Sequence, residues 1–551
     1  MNYYPALLLL LVCSIRSEAG ELSLERSNQS TAPLFEGLGD HRHPVTADSR
    51  KAQLYFDQGL TLCFAFNHTE AIRSFRGALR QDPHCAMAYW GIAYANGPHV
   101  NRLMSKEDND RAWEALQHAV ELKDRANANE RAYIGALEKR YQPLFTEDRS
   151  RLDKDYAAAM REMIREFPDD LDAYALFSEA LMDTMPWDYW LKDRSPKPET
   201  EEALAALRYV IARNPDHPGA NHFFIHAVEA GPHPEQGIPS ADRLLRFAPR
   251  AGHLVHMPSH IYMRVGQYED AELANALAVK ADRAYIQHCA AQGFYPGAYY
   301  PHNEHFLWYA AYFQGRLKES LSVSREASAL ARENYCGSRK VIEAPRLRHL
   351  PWLTLARFGK WDEVLKIEKP AATNDFLMDR AIWHFVRGLA FVGKKEAASA
   401  SGEHARLLKC MESPEAAKLN NPHFPASGVL DVAQHWLAGR VAEANNNKTL
   451  ALEELRKGVA AEDALPYMEP AFWPVPMRPA LGAALLRAGK PAQAEEAFRE
   501  DLKLWPRNGW GLFGLEQSLR AQSKSNAADL VLREFAKAWR RSEVKLDLSW
   551  L

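Results

Sequence analysis

Small and aromatic residues return at a fixed spacing along this chain, separated by polar positions. Within residues 66–79, Ala71, Phe75 and Ala78 would lie on one face of a helix, and Asp82-Pro83 would end it. Each repeat predicts one helix that ends at a glycine or asparagine, followed by an amphipathic second helix. The same order returns around Gly266, Gly315, Gly359 and Gly489, with weaker copies near Gly393 and Asn446.

This pattern predicts an all-α protein, because no segment shows the sustained alternation of a strand. The spacing is typical of tetratricopeptide repeats (TPR), in which each helical hairpin buries its face against its neighbours. We therefore expect a right-handed, TPR-like superhelical solenoid over residues 49–551. Residues 185–198 and 282–300 interrupt the period, and both are predicted to be loop insertions.

The N-terminal region has a different pattern. An apolar run from Ala6 to Cys13 precedes Ser17-Glu18-Ala19, so residues 1–19 are predicted to be a secretory signal peptide. We expect a mobile leader over residues 20–48 and a secreted or secretory-lumen protein. Three triplets fit N-glycosylation and begin at Asn28, Asn67 and Asn447.

The composition gives no support for nucleic-acid binding, for a membrane span or for a disulfide-based fold. The chain has 551 residues and a net charge of -3, without a basic run, which gives no case for nucleic-acid binding. No apolar stretch of 18 residues occurs, so no membrane span is expected. Five cysteines follow the signal segment, an odd number without a CxxC pair, which allows one or two disulfides but implies no framework.

Histidines gather in the central repeats, residues 216–360. With each turn glycine taken as the fifteenth position of its hairpin, several histidines fall at positions that face the concave wall. Imidazole is the commonest protein ligand for transition metals, so we predict a site for copper, zinc or iron. Pro258 could instead begin the helix assumed here for His253 to His260. The candidate ligands are His222, His226, His253, His256, His260, His302, His305 and His349.

Three residues are candidates for catalysis beside these histidines. Glu229 follows His226 by three positions, Glu304 lies between two candidate ligands, and Tyr309 shares the predicted face. Polar substrate or peptide binding in the groove is an alternative role for the histidines, and so is structural hydrogen bonding. His43, His217 and His233 precede prolines and are predicted to be turn residues, and His68 is given a structural role.

Residues 221–229, 252–262 and 300–306 carry the strings NHFFIHAVE, GHLVHMPSHIY and YPHNEHF. In these strings the chain resembles a large, mostly bacterial group of histidine-rich TPR proteins without an established activity. The resemblance extends to Phe66-Asn67-His68, Pro186-Trp187-Asp188 and residues 506–510, and it implies the TPR fold. His99 departs from it, since asparagine is expected there.

We therefore predict a TPR protein with a local metal site, which could serve an oxidative or hydrolytic enzyme acting on a small molecule or peptide. The alternative is a non-catalytic scaffold that holds a peptide or protein partner in its groove. A metal-free enzyme using His and Glu for acid–base chemistry ranks third. The candidate histidines lie within about four repeats and not along the whole chain, which favours a local site.

Overall fold

The computed structural model describes residues 32–191, 193–289, 291, 293–332, 344–373, 376–421 and 424–551. Every regular element within these ranges is a helix, with isolated bridges but no strand, which confirms the all-α prediction. The predicted signal peptide, Asn28 and Cys336 lie outside the described residues.

Contacts divide the chain into two units. The first comprises the described residues up to Ile261 together with Leu277–Tyr299, and the second comprises Tyr262–Ala276 and the described residues from Tyr300 onward. Consecutive helices pack as hairpins within each unit. The helices of the first unit are Arg50–Phe64, His68–Gln81, Ala86–Ala95, Lys106–Glu121, Ala128–Leu137, Ser150–Glu166, Leu171–Asp183, Pro198–Arg213, Pro218–Glu229, Ile238–Phe247 and Gly252–His256.

Three helices contain residues of both units: Pro258–Val265, Tyr268–Cys289 and Phe294–Phe313. The second unit continues with Leu317–Arg332, Ala344–Leu347, Leu350–Arg357, Trp361–Leu365, Leu377–Gly393, Ala397–Met411, Ala426–Ala444, Lys448–Asp463, Met477–Arg487, Pro491–Leu504, Gly509–Ala521 and Ser525–Ala538. No helix in the described part of the chain combines the length and apolarity that a membrane span requires.

The side chain of Phe75 fills the space between the helices of the first repeat. Phe75 is fully buried, and a Cβ added at Gly59 or Gly91 would lie only 2.5 or 2.6 Å from its ring. The glycines therefore let three successive helices approach the same ring. Phe498 repeats this arrangement in the second unit between Gly482 and Gly514, at the same sequence spacing. The predicted core face with Ala71, Phe75 and Ala78 is confirmed, since all three are 0% exposed.

Residues 32–48 correct the prediction of a mobile leader over 20–48, for the described part of that segment. The Gln58 side chain accepts a hydrogen bond from the backbone N–H of Phe35 at 2.7 Å and donates to the carbonyl of Pro33 at 2.9 Å. Ala32, Leu38 and His43 are buried. A polar sequence without helical period still packs here because its backbone groups find side-chain partners on the first helix.

The two predicted insertions differ in outcome. Described residues of 185–197 form an irregular connection, as expected, with Trp187 at a positive φ of 63°. The prediction of a loop over 282–300 is wrong, because helix Tyr268–Cys289 continues into it and helix Phe294–Phe313 begins inside it. Tyr295, Tyr299 and Tyr300 are buried in the second of these helices, which also accommodates Pro301.

Candidate metal centre

Helix Pro218–Glu229 brings two imidazoles to one interior point of the first unit. His222 and His226 lie one turn apart on the same stripe, and they are 0% and 1% exposed. Nδ1 of His222 lies 2.6 Å from the carbonyl oxygen of Phe64. A carbonyl only accepts, so this nitrogen carries the proton and the Nε2 of the neutral ring keeps its lone pair. That Nε2 is buried without a hydrogen-bond partner.

One carboxylate orients two further rings. Glu229 is fully buried, and its two oxygens lie 2.8 Å from Nδ1 of His226 and 2.7 Å from Nδ1 of His260. Burial would raise the pKa of Glu229, but His260 and His226 together lower it to about 2, so the carboxylate is ionised. The structure thus places Glu229 behind the imidazoles as their acceptor. His226 Nε2 is buried without a hydrogen-bond partner.

His253 arrives from the short helix Gly252–His256. Pro258 begins a separate helix, so the single helix assumed from His253 to His260 is broken at Met257. His253 nevertheless joins the other two: one nitrogen from each of His222, His226 and His253 lies within 4.8 Å of the others. We call these residues the histidine trio. All three are at most 1% exposed.

His256 and His260 extend the trio. Their Nε2 atoms lie 2.9 Å apart, and the His260 ring centroid lies 5.6 Å from that of His226. Two nitrogens bound to one ion at about 2.0–2.1 Å and at a right angle lie about 2.9 Å apart, so this spacing fits ligation as well as a hydrogen bond. Each Nδ1 acceptor described above also matches the outer layer of metal-bound imidazoles.

Sequence reasoning missed two histidines and the aromatic ring beside the trio. Phe66, at a positive φ of 53°, places its ring 4.5 Å from that of His222 and 4.7 Å from that of His99. The His68 and His99 rings lie 4.6 Å apart. Burial, followed by Arg102 and Arg140, lowers the pKa of His68 to about 3, so it stays neutral. The resemblance string Phe66-Asn67-His68 was the available signal.

The remaining candidates belong to the second unit. Glu304, His305 and Tyr309 are buried there, whereas His302 is half-buried. Tyr309 packs edge-on against Phe313 and Trp505 with its hydroxyl lacking a hydrogen-bond partner, which places it in aromatic core.

His349 caps helix Leu350–Arg357 by position rather than through its side chain. Burial lowers its pKa to about 4, and His305 contributes to the lowering, so these two candidates lie within electrostatic range of each other. Among the described residues of the second unit, His305 and His349 do not form a three-ligand group with other residues of that unit.

Two further sequence features can be located. Asn67 is buried, at 4% exposed, and its side-chain oxygen accepts from the N–H of Glu70. Asn447 is exposed. The described cysteines, Cys63, Cys85, Cys289 and Cys410, are all free thiols.

No family model and no curated sequence matches this chain. Solved structures with similar helical architecture include the Cut9–Hcn1 hetero-tetramer of APC/C, at 14% identity, TM-score 0.29, and coverage of 86% of this chain and 78% of that one. A human IFIT1 dimer with m7Gppp-AAAA matches at 12% identity, TM-score 0.30, and 82% and 90% coverage. The TPR domain of P58(IPK) matches at 12% identity, TM-score 0.21, and 86% and 99% coverage. Such distant similarity assigns neither ligand nor activity.

Proposed function

We propose that this TPR-like protein binds a transition-metal ion at the histidine trio. One observation carries the proposal: Phe64 and Glu229 hold Nδ1 of His222 and His226, so that the buried Nε2 atoms of both rings are left without hydrogen-bond partners. Buried polar atoms normally have partners, because desolvation without one costs about 1–3 kcal/mol. An ion at this point would bind both nitrogens and could also be reached by a nitrogen of His253.

The donor set indicates the class of ion. Neutral imidazoles suit zinc, copper and iron, and the trio supplies no thiolate that would favour a closed cysteine site. Glu229 places one negative charge directly behind the rings, where it offsets part of the ion's charge. His222, His226 and His253 would hold such an ion, which when bound would supply the chemistry that activates water or oxygen in hydrolytic or oxidative enzymes.

Burial favours this proposal over a peptide-holding groove. An extended peptide needs side chains that it can reach, but His222, His226 and His253 are at most 1% exposed. The apolar segment of residues 6–13 supports a secretory location as part of the proposal, and sequencing the N-terminus of the mature protein would test that location.

Metal analysis tests the proposed site directly. The full chain is purified, stripped with a chelator and reconstituted separately with Zn(II), Cu(II) and Fe(II), and bound metal is counted per chain. We expect His226→Ala to lose one equivalent and His118→Ala, which alters a side chain 48% exposed, to lose none. Circular dichroism confirms that both variants fold. Equal metal content in wild type, His222→Ala and His226→Ala would refute the proposal.

A further inference from the structure

Two histidines of the first unit make the same local hydrogen bond in different surroundings. Nδ1 of His217 accepts a hydrogen bond from the N–H of Ala220 at 3.1 Å, and Nδ1 of His99 accepts one from the N–H of Asn101 at 3.3 Å. A ring nitrogen that accepts carries no proton, so the ring proton of both residues is on Nε2. His217 is 1% exposed and His99 is 5% exposed. Each residue therefore presents a buried N–H donor that requires an acceptor.

The Nε2 of His217 faces a carboxylate. It lies 3.1 Å from Oδ1 of Asp172. Nε2 of His41 lies 2.9 Å from the same oxygen and Nδ1 of His43 lies 2.8 Å from the other, so three imidazoles surround one aspartate. All four residues line a cavity of about 690 Å³. Burial would raise the pKa of Asp172, but the histidines bring it well below its usual value, so an ionised carboxylate matches the proton of His217.

The Nε2 of His99 has no such counterpart. Although this atom is buried, it finds no hydrogen-bond acceptor among the described residues. A buried donor left without an acceptor lowers the stability of a folded chain, which is why such donors are rare. An oxygen that arrives with a ligand would supply the acceptor that Asp172 supplies to His217.

The charges near His99 favour an anionic oxygen. Burial lowers the pKa of His99 well below its usual value, and His68, Arg102 and Arg140 lower it further. The two guanidinium groups that disfavour a charged imidazole would stabilise an anion beside it. Arg102 bonds Asp108 through Nη2, and a guanidinium has five N–H donors in all. A ligand carboxylate suits this setting, because it accepts from imidazole and guanidinium N–H groups alike.

Aromatic rings next to His99 indicate the rest of the ligand. The His99 ring stacks on Phe66 with 4.7 Å between centroids, and the Phe294 ring stands nearly perpendicular to it at 6.4 Å. The guanidinium of Arg102 lies over the Phe294 ring, 5.5 Å from its centroid. His68, Arg102 and Phe294 are half-buried, so the edge of this group is partly accessible to solvent. Aromatic walls with a few polar groups are typical of sites for small apolar bodies that carry one charged group.

We propose that His99 is the hydrogen-bond donor of a binding site for a small aromatic carboxylate, in which Nε2–H of His99 and the guanidinium of Arg102 hold the carboxylate and Phe294 packs against the ligand ring. Phe66 contacts both His99 and His222, which places the ligand next to the histidine trio. The site stands without the proposed ion, because none of its residues is a proposed metal ligand.

Titration calorimetry of the chelator-stripped full chain with benzoate tests this site. We expect wild type to bind one benzoate per chain, and to bind benzyl alcohol, which lacks the charge, at least about tenfold more weakly. His99→Phe keeps a ring that can stack on Phe66 but loses the N–H, so its benzoate affinity should fall at least about tenfold. His99→Gln keeps an N–H donor and should retain most of the affinity. The control His233→Ala, whose side chain is 65% exposed, should equal wild type.

Unfolding in urea without benzoate separates ligand binding from a structural role. His99→Phe removes an unpaired buried donor, so we expect its unfolding free energy to equal or exceed that of wild type. A purely structural role predicts lower stability at unchanged benzoate affinity, and that result would overturn the proposal. So would the absence of saturable benzoate binding in wild type. Because the titration is run without metal, failure of metal binding at the histidine trio would change neither result.

Discussion

The histidine trio and the imidazoles around Asp172 combine the same residue types in opposite ways. In the trio, Glu229 accepts from Nδ1 of His226 and stands behind the ring, so Nε2 keeps its lone pair. Around Asp172, Nδ1 of His217 accepts from the N–H of Ala220, so the ring proton is on Nε2, which faces the carboxylate. The ring nitrogen that faces the carboxylate therefore decides whether an Nε2 lone pair is left for an ion. Burial follows the same division, with a closed interior in one case and a lined cavity in the other.

Removal of the metal should produce the largest change in stability. An ion at a free concentration a thousandfold above its Kd stabilises the folded state by about 4 kcal/mol per site. We expect chelator treatment to lower the melting temperature of the loaded protein, and re-addition of Zn(II) to restore it. The shift should be lost in His226→Ala. An unchanged shift in this variant would place the ion elsewhere.

Glu229→Gln tests the orienting role. The amide accepts from one imidazole only, so one of His226 and His260 loses its acceptor, at a cost of about 1–3 kcal/mol in unfolding free energy. Loss of such an outer partner weakens metal binding about 10–100-fold. This weakening is measured by chelator competition, and circular dichroism checks that the variant folds. An unchanged affinity in folded Glu229→Gln would contradict the orienting role.

Phe66→Leu should have a smaller effect. The ring packs against His222, His99 and His253, and aromatic pairs of this kind contribute about 0.5–1.5 kcal/mol beyond the area they bury. We expect the unfolding free energy measured in urea to fall by about that amount, with metal stoichiometry kept. A lost equivalent would make Phe66 essential to ligand placement.

His118→Ala is the control for the effect of replacing any histidine. The side chain is 48% exposed and pairs with Glu121 at 3.2 Å within one helix. Exposed pairs contribute little, so its unfolding free energy should stay within about 0.5 kcal/mol of wild type and its metal content should not change. A larger change would show that any histidine substitution perturbs this fold, and the comparison would lose its control.

Sequence alone could predict what depends on local spacing. The helical hairpins follow from the recurring small and aromatic positions, and the shared stripe of His222, His226 and Glu229 follows from helical periodicity. The sharing of Glu229 by His260 could not be predicted, because it depends on how two distant helices pack.

The grouping of His41, His43 and His217 around Asp172 escaped prediction for a related reason. His43 and His217 precede prolines and were assigned to turns, and His41 lies in the segment predicted to be mobile. Their convergence requires that residues 32–48 pack on the first unit, which no local pattern signals. His99 likewise stacks on Phe66, whose positive φ no local pattern signals.

The ordered stretch ahead of the first helix has a practical consequence for anyone who trims the gene. A version beginning at residue 49, where the repeats start, would still encode every hairpin and would pass a helicity assay. It would also discard two of the three imidazoles that hold the Asp172 carboxylate, so a loss of stability in such a product would reflect the cut rather than the repeats.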